Sequence, residues 1–420
     1  MVADSKQPAL ANPARVFHGW RIVASVVVIQ AISAGLTTYS FGLFQLPIAQ
    51  EFGVSRSAVS LGMTGAMLLG SAIGPWLGRA LDRRSIRGLM LAAGALMAGC
   101  YFAMALVPSI ELLGLCFVVG AAAGQTALGP LAASKLVATW FSRMRGRALG
   151  VSAVGTSAGG LLAPPLVAAA ITAWGWRGAA VASATVVVLI VLPTVALAIC
   201  SRPSDLGLHP DGASEPPPRP SGAHPSSWSF RQLVRNRNFC VVTVVIGTIF
   251  GIITGLITNL PPLAAEMGLE PQRAALLLSI LSFSGVAGKL CFGAIADRLD
   301  KRLLIWIGMA MLAGFLLIAL SRPGFGVLAG GGIALGFALG GALPLWGALI
   351  GDCFGSEAFG EVMGWMTPAM LPLTVSGVQL LPWCYDTFGS YERGLQGFLA
   401  ALALAASLLL LLRLPERASD

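Results

Sequence analysis

Long apolar runs follow one another along almost the whole chain, broken by short polar or charged turns. A helix that crosses hydrocarbon needs about 20 mostly apolar residues. Runs of that kind start near Trp20, Ser57, Gly88, Leu112, Arg147 and Gly178, and again near Asn238, Gln272, Leu303, Gly324, Phe359 and Tyr391. The pattern predicts an all-α membrane protein with twelve transmembrane helices in two pseudo-symmetric six-helix bundles. The only long polar stretch runs from Ser201 to Arg237 and contains "HPDGASEPPPRPSGAHPSS". It is too rich in proline and small polar residues to pack a core, and reads as a flexible linker. It divides the chain into an N-terminal bundle at 1–200, a cytoplasmic linker at 201–237 and a C-terminal bundle at 238–420. The linker's end, "SFRQLVRNRNF", reads as a short amphipathic helix at the membrane surface.

Composition agrees. Of 420 residues, 56% are hydrophobic and only 11% are charged, against about a quarter charged in soluble domains. The 52 glycines suit helices that pack closely in lipid. The net charge of +9 is not spread as a basic stripe interleaved with aromatics, so no nucleic-acid partner is expected. It follows topology instead. With both termini inside, the inner segments hold 20 Lys and Arg and the outer loops hold 5, namely Arg56, Arg177, Arg273, Arg322 and Arg393. The positive-inside rule then puts both termini in the cytoplasm. The first nineteen residues carry no signal-peptide pattern, and the first apolar run is read as a retained helix. Arginine outnumbers lysine 23 to 4, which points to a GC-rich genome and a bacterial inner membrane. The seven cysteines are scattered with no CxxC pair and read as small core residues. No metal site, cofactor site or catalytic constellation is evident, so the chain is not read as an enzyme. His18, His209 and His224 all lie outside the spans, and the glycine-rich "GVSAVGTSAGG" lacks the Gly-Lys-Ser/Thr of a phosphate loop.

The two halves repeat. At a shift of 215 residues Gly53 falls on Gly268, Gly70 on Gly285, Gly78 on Gly293, Asp82 on Asp297, Arg83 on Arg298 and Arg87 on Arg302. Secondary transporters are commonly built from such repeats, with the substrate bound between them. "GRALDRRSIR" and "GAIADRLDKR" resemble the signature loop of the major facilitator superfamily. They occur after the second and the eighth span, where that superfamily carries it. Within it, "WFSRMRGRALGVSAVGTSAGG" and "HGW" resemble the monocarboxylate transporter and oxalate/formate antiporter group. That group carries a lone cation in the eighth span, four residues before the signature glycine, and Lys289 stands there before Gly293.

Lys289 is about 12 Å along the helix from Asp297 at 1.5 Å per residue, near mid-depth of a core about 30 Å thick. Its repeat partner is Gly74, so the cation is not a structural need of both halves. A buried cation with no carboxylate in its own span suits an anionic substrate. A structural lysine bonded to helix carbonyls is the plainer alternative. Lys135, one or two turns before Arg143, either snorkels to the surface or adds a second cation on the inner path. In the superfamily the first, fourth, seventh and tenth helices line the path, and this implies Tyr39, Gln125, Thr126, Asn259 and Trp346 as lining residues. Thr374 and Ser376 are weaker candidates, and any of these polar residues also serves as glue between helices. The interfacial Asp82, Arg83, Arg87, Asp297, Arg298 and Arg302 are read as latches that bias the conformational equilibrium. At a shift of 214, Arg143 falls on Glu357 and Arg147 on Glu361, a basic and an acidic junction that are able to meet across a closing inner mouth.

The expected protein is a monomeric alternating-access carrier in a lipid bilayer, moving a small organic anion, a monocarboxylate by resemblance. The co-substrate is a proton or a counter-anion. Proton symport is favoured because a lysine returning neutral avoids the cost of a buried charge. Two departures bear on it. Animal members of the group carry an aspartate one turn before the cation, where this chain has Gly285, and a lysine late in the first span, where it has Leu43. The rival expectations are an organic-anion exchanger, a carrier of a drug or sugar, and a membrane sensor that binds without transporting.

Overall fold

In lipid a backbone has only itself to bond to, so apolar runs of this length fold as helices. A computed structural model of the chain describes residues 17–141, 144–212, 230–295, 299–354 and 359–412. Among these, nine helices are long and apolar enough to cross a membrane. The longest of them, Arg147–Ala198, is two legs. Gly175 interrupts it at φ 69° and ψ 173°, a conformation that glycine reaches without strain. Before the break, Gly155 packs on Val27 and Gly159 on Ala31; after it, Leu192 packs on Gly94 and Ser201 bonds Ser85. The chain therefore reverses at Gly175. Two further long helices, Phe359–Phe388 and Glu392–Leu409, bring the helical legs to twelve. Phe359–Phe388 carries three internal prolines, Pro368, Pro372 and Pro382.

Three legs are interrupted inside, the sixth by a π turn at Val187–Val191. The first runs as His18–Ala34, passes through a π turn at Gly35–Tyr39, and resumes as Phe41–Phe52. The fourth stops at Ala127 and restarts as Pro130–Trp140, with Pro130 in the first turn, where its missing N–H costs nothing. Other legs start on side-chain caps. Ser55, Ser85, Ser109, Asn236 and Asp300 each accept from the first turn of the helix that follows. The surface helix predicted before the seventh leg is a single turn, Phe230–Leu233, with Phe230 against Trp365. All seven cysteines are free thiols.

The core divides in two. One cluster gathers buried side chains of the first six legs, such as Ile22, Met97, Trp140 and Ala180. The other gathers those of the last six, such as Ile253, Leu278, Phe315 and Leu402. Three buried residues cross over. Tyr39 is buried in the second cluster, while Ala275 and Val378 are buried in the first.

The repeat reaches further than the signature loops. Glu51 and Glu266 end the first and seventh legs and are related by the same shift of 215. Glu51 accepts from Arg177 and from the indole of Trp176, at the turn after the fifth leg. These two partners hold the Glu51 carboxyl below its ordinary range, Arg177 first and Trp176 second. The pin is therefore present at neutral pH and is lost as pH falls through that lowered value. Glu266 accepts from Arg322 at 2.8 Å, Ser390 at 3.0 Å and the backbone N–H of Tyr391 at 3.1 Å. Tyr391 is the repeat partner of Trp176. Each half thus ties its first leg to the turn before its last.

Legs seven and eleven touch backbone to backbone. A Cβ on Gly377 would lie 2.1 Å from the carbonyl oxygen of Gly251, and one on Gly255 would lie 2.2 Å from that of Gly377. Gly377→Val is expected to destabilise the protein by about 1–3 kcal/mol, the usual cost of overpacking. A thermal unfolding curve in detergent checks it, and an unchanged midpoint would contradict this packing.

Candidate functional site

The seam between the two sets of six legs is where the polar side chains collect. It is sealed towards the face opposite the chain termini, called here the far face. There Asp386, at the end of the eleventh leg, accepts from the backbone N–H groups of Arg56 at 3.1 Å and Ser57 at 2.8 Å, and so caps the second leg from the opposite half. The Arg56 guanidinium lies 3.5 Å from the ring centre of Tyr385 and donates to the Tyr391 hydroxyl at 2.7 Å. Deeper in, Gln45 donates to Ser60 at 2.8 Å and to Asn259 at 3.2 Å, and Gln379 donates to Thr64 at 2.7 Å. Gln272 donates to Thr172 at 2.9 Å, and Ser279 to the Leu161 carbonyl at 2.7 Å. A largely apolar cavity of about 260 Å³ lies in the same seam between Pro47, Thr172, Pro261 and Leu269.

Below this seal the first, fifth and eighth legs converge. Gly160 lets them meet: a Cβ there would fall 2.1 Å from Ser282 Oγ and 2.6 Å from Tyr39 Cε1. Two turns further along the eighth leg comes Lys289, half-buried, and its ammonium crosses the seam. It donates to the Ala153 carbonyl at 3.1 Å, Thr156 Oγ1 at 3.2 Å and Ser157 Oγ at 2.8 Å. All three acceptors are neutral, and all belong to the fifth leg. No described carboxylate bonds it. At Gly285, one turn before it, the eighth leg carries no side chain, and a Cβ there would lie 3.3 Å from the Gly336 carbonyl oxygen.

The other expected site residues are spread along the seam and the two cores. Tyr39 is buried beside Ser282, a short way above Lys289. Asn259 is fully buried and belongs to the far seal, where it donates to Gly255 at 2.9 Å and Val378 at 3.2 Å. Gln125 points its amide at Met63 Sδ, 4.0 Å away. Trp346 is turned into its own half, its N–H 2.9 Å from Met366 Sδ and its ring edge-on to Phe250. The described contacts join none of Asn259, Gln125 and Trp346 to Lys289. Thr126 and Thr374 bond carbonyls of their own helices. Lys135 is half-buried in the helix Pro130–Trp140.

At the termini face Arg83, Arg87 and Arg147 are exposed, and the backbone N–H of Arg87 donates to Ser201. The Arg302 backbone N–H donates to Asp300 at 2.8 Å. Its neighbour Lys301 is buried and paired with Asp352 of the tenth leg, a pin that the sequence pattern did not predict. Arg143, Asp297, Arg298 and Glu357, and the side chains of Asp82 and Glu361, lie outside the described residues. Thr156 and Ser157 were also missed, because they sit in a glycine-rich run whose spacing reads as packing alone.

A family profile described as Major Facilitator Superfamily matches residues 26–367 and 252–420. The chain belongs to the major facilitator superfamily. It is similar to monocarboxylate transporter 11 of Mus musculus, at 29% identity over 77% of this chain and 67% of that protein. It is also similar to the human protein of the same name, at 28% identity over 69% of this chain and 59% of that one. A shorter match, 28% identical over 38% of this chain and 30% of the other, is to a riboflavin transporter of Trypanosoma brucei brucei. Among solved structures, the fold resembles a bacterial homolog of the human lysosomal transporter Spinster, in an inward-facing and unoccupied conformation. The TM-score is 0.74 at 16% identity, over 96% of this chain and 97% of that one.

Gly160 offers a test of the seam that leaves Lys289 untouched. Gly160→Val is expected to keep the fold but hold the far seal apart. A cysteine placed at Ala275, fully buried in the first cluster, then reacts faster with maleimide. An unchanged rate would mean that these three legs do not close on one another here.

Proposed function

We propose that this carrier moves a small organic anion, a monocarboxylate in the first instance, by alternating access. The observation that supports it is the ammonium of Lys289, set in the seam with neutral oxygens as its described partners. A cation at this depth attracts a carboxylate strongly, because the surroundings screen poorly. Ion pairing with a carboxylate would replace weaker dipolar contacts, and so offers the substrate a binding energy that a sugar or another neutral solute does not share. The likeness to proteins named monocarboxylate transporters agrees with this reading. Tyr39, buried beside Ser282 two turns before Lys289 on the eighth leg, is the expected lining residue proposed to extend the site.

The membrane is the plasma membrane, with the termini on the cytoplasmic side, and the bias of Lys and Arg towards that side supports it. A proton is the co-transported ion that the sequence favours, and a counter-anion is the alternative. In proteoliposomes, uptake that rises on an inward proton gradient assigns the proton; uptake that rises only on preloading with unlabelled anion assigns exchange. The residues Arg143 or Arg147 and Glu357 or Glu361 are proposed to meet when the cytoplasmic mouth closes. Reversing one charge should favour the inward-open state, and reversing both partners should restore the balance. Cysteine accessibility from the cytoplasmic side reports it, and no rescue by any double reversal would remove the gate from the proposal.

Lys289 is tested directly. Lys289→Ala is expected to abolish anion uptake while leaving expression and the unfolding midpoint intact. Lys289→Arg is expected to retain part of it, since the charge stays but its hydrogen-bond geometry changes. Wild-type uptake by the alanine variant would overturn the substrate-site reading.

A further inference from the structure

The three oxygens that hold Lys289 raise a separate matter: how the carrier closes when nothing is bound. An uncompensated ammonium in the seam would oppose closure of the empty protein, because it would be taken from water and left without partners. Here the far seal is shut and the ammonium has partners, all from one stretch of the opposite half. The Ala153 carbonyl, Thr156 Oγ1 and Ser157 Oγ lie within 3.2 Å of Nζ. Three acceptors match the three N–H groups of an ammonium. The geometry of the acceptors is also arranged for this. Thr156 gives its own proton to the Ala153 carbonyl at 3.0 Å, which leaves its lone pairs for the lysine. Ser157 is buried, at 3% exposure, and Lys289 is its described side-chain partner.

We infer that Thr156 and Ser157, with the Ala153 carbonyl, act as an internal stand-in for the substrate's carboxylate, holding Lys289 while the empty carrier closes its far face. They are positioning residues. Their effect is on the return of the empty protein and passes through Lys289. A carrier with such a stand-in completes net transport cycles with neither an anion nor a neutral Lys289 in the return step, so a co-transported proton need not ride on the lysine. One without it depends on one or the other. The inference rests on Lys289 being the anion's counter-charge, but its test uses no anion and stands apart from that reading.

The test follows the far seal in substrate-free protein. The full chain carrying Ala275→Cys is placed in nanodiscs, where both faces are accessible and orientation is immaterial. Maleimide labelling at position 275 is then quantified by mass spectrometry. Thr156→Val with Ser157→Ala is expected to raise the labelling rate about a hundredfold, about tenfold for each hydrogen bond to a charged group that is removed. Ser157→Ala alone is expected to raise it less, and serves if the double variant folds poorly. Ser157→Asp supplies a permanent carboxylate, and is expected to slow labelling below the wild-type rate. In a Lys289→Ala background the two hydroxyl deletions should not matter, because the group they act through is gone. Equal labelling of the wild type and both hydroxyl-deletion variants would overturn the inference. So would the same acceleration with and without Lys289, which would make the two hydroxyls packing elements only.

Discussion

The hydrogen bonds from Lys289 to the fifth leg are the contact around which the rest of this structure is arranged. A long side chain from one half ends on a short run of backbone and hydroxyls of the other. The other hydrogen bonds across the seam, those of Arg56, Ser57, Gln45, Gln272, Ser279 and Gln379, lie on the far-face side of it. The seal of Arg56 with Asp386, Gln45 with Asn259, and Gln272 with Thr172 is polar and small in each part. Hydrogen bonds of this kind contribute about 0.5–1.5 kcal/mol each. A seal made of many weak parts can open, whereas a continuous apolar seam would not. On the proposed reading, the balance between open and closed is set by what the buried ammonium finds on each side.

Rigid halves are the second requirement, because a cation is useful as a trigger only if the bodies it joins move as units. Backbone contacts through Gly251, Gly255 and Gly377 fix the seventh leg to the eleventh, and those through Gly336 and Gly340 fix the eighth to the tenth. The paired Glu51 and Glu266 tie each half's first leg to its last turn, and Lys301 with Asp352 closes the termini end of the second half. The first leg is interrupted at the seam. Its π turn at Gly35–Tyr39 lies where Tyr39 leaves its own half to be buried in the other. A π turn adds a residue to the helix and re-aims the side chains beside it, and such turns gather at functional sites.

Much of the fold was legible because lipid leaves few choices. Apolar length forces helices, and the repeated Gly-x-x-x-Asp-Arg loops set the two halves in register. Lys289 was legible for the same reason: a charge is conspicuous in a medium that penalises it. Its partners were not legible. Thr156 and Ser157 are ordinary residues in a helix of this kind, and only the packing of the fifth leg on the eighth gives them a role. The lining set was taken from the first, fourth, seventh and tenth legs as helices, and the sequence alone does not say which face of a helix a side chain occupies. Trp346 lies on a face turned to Met366 and Phe250, and Asn259 on one taken up by the far seal. The seal itself was missed because its members, Arg56, Asp386 and Gln379, are far apart in sequence and have no repeat to flag them. Glu51 and Glu266 did have one, at the same shift as the glycines beside them.

The measurement that bears most directly on the central claim is binding. Purified wild-type and Lys289→Ala protein, at one pH and one ionic strength, are screened by thermal shift against a panel of small monocarboxylates, with uncharged analogues as controls. A ligand present at 100 times its dissociation constant stabilises the folded protein by about 2.7 kcal/mol, well within reach of the method. The account predicts that at least one carboxylate raises the unfolding midpoint of the wild type, that its uncharged analogue does not, and that the alanine variant responds to neither. A carboxylate that stabilises both proteins equally would contradict it.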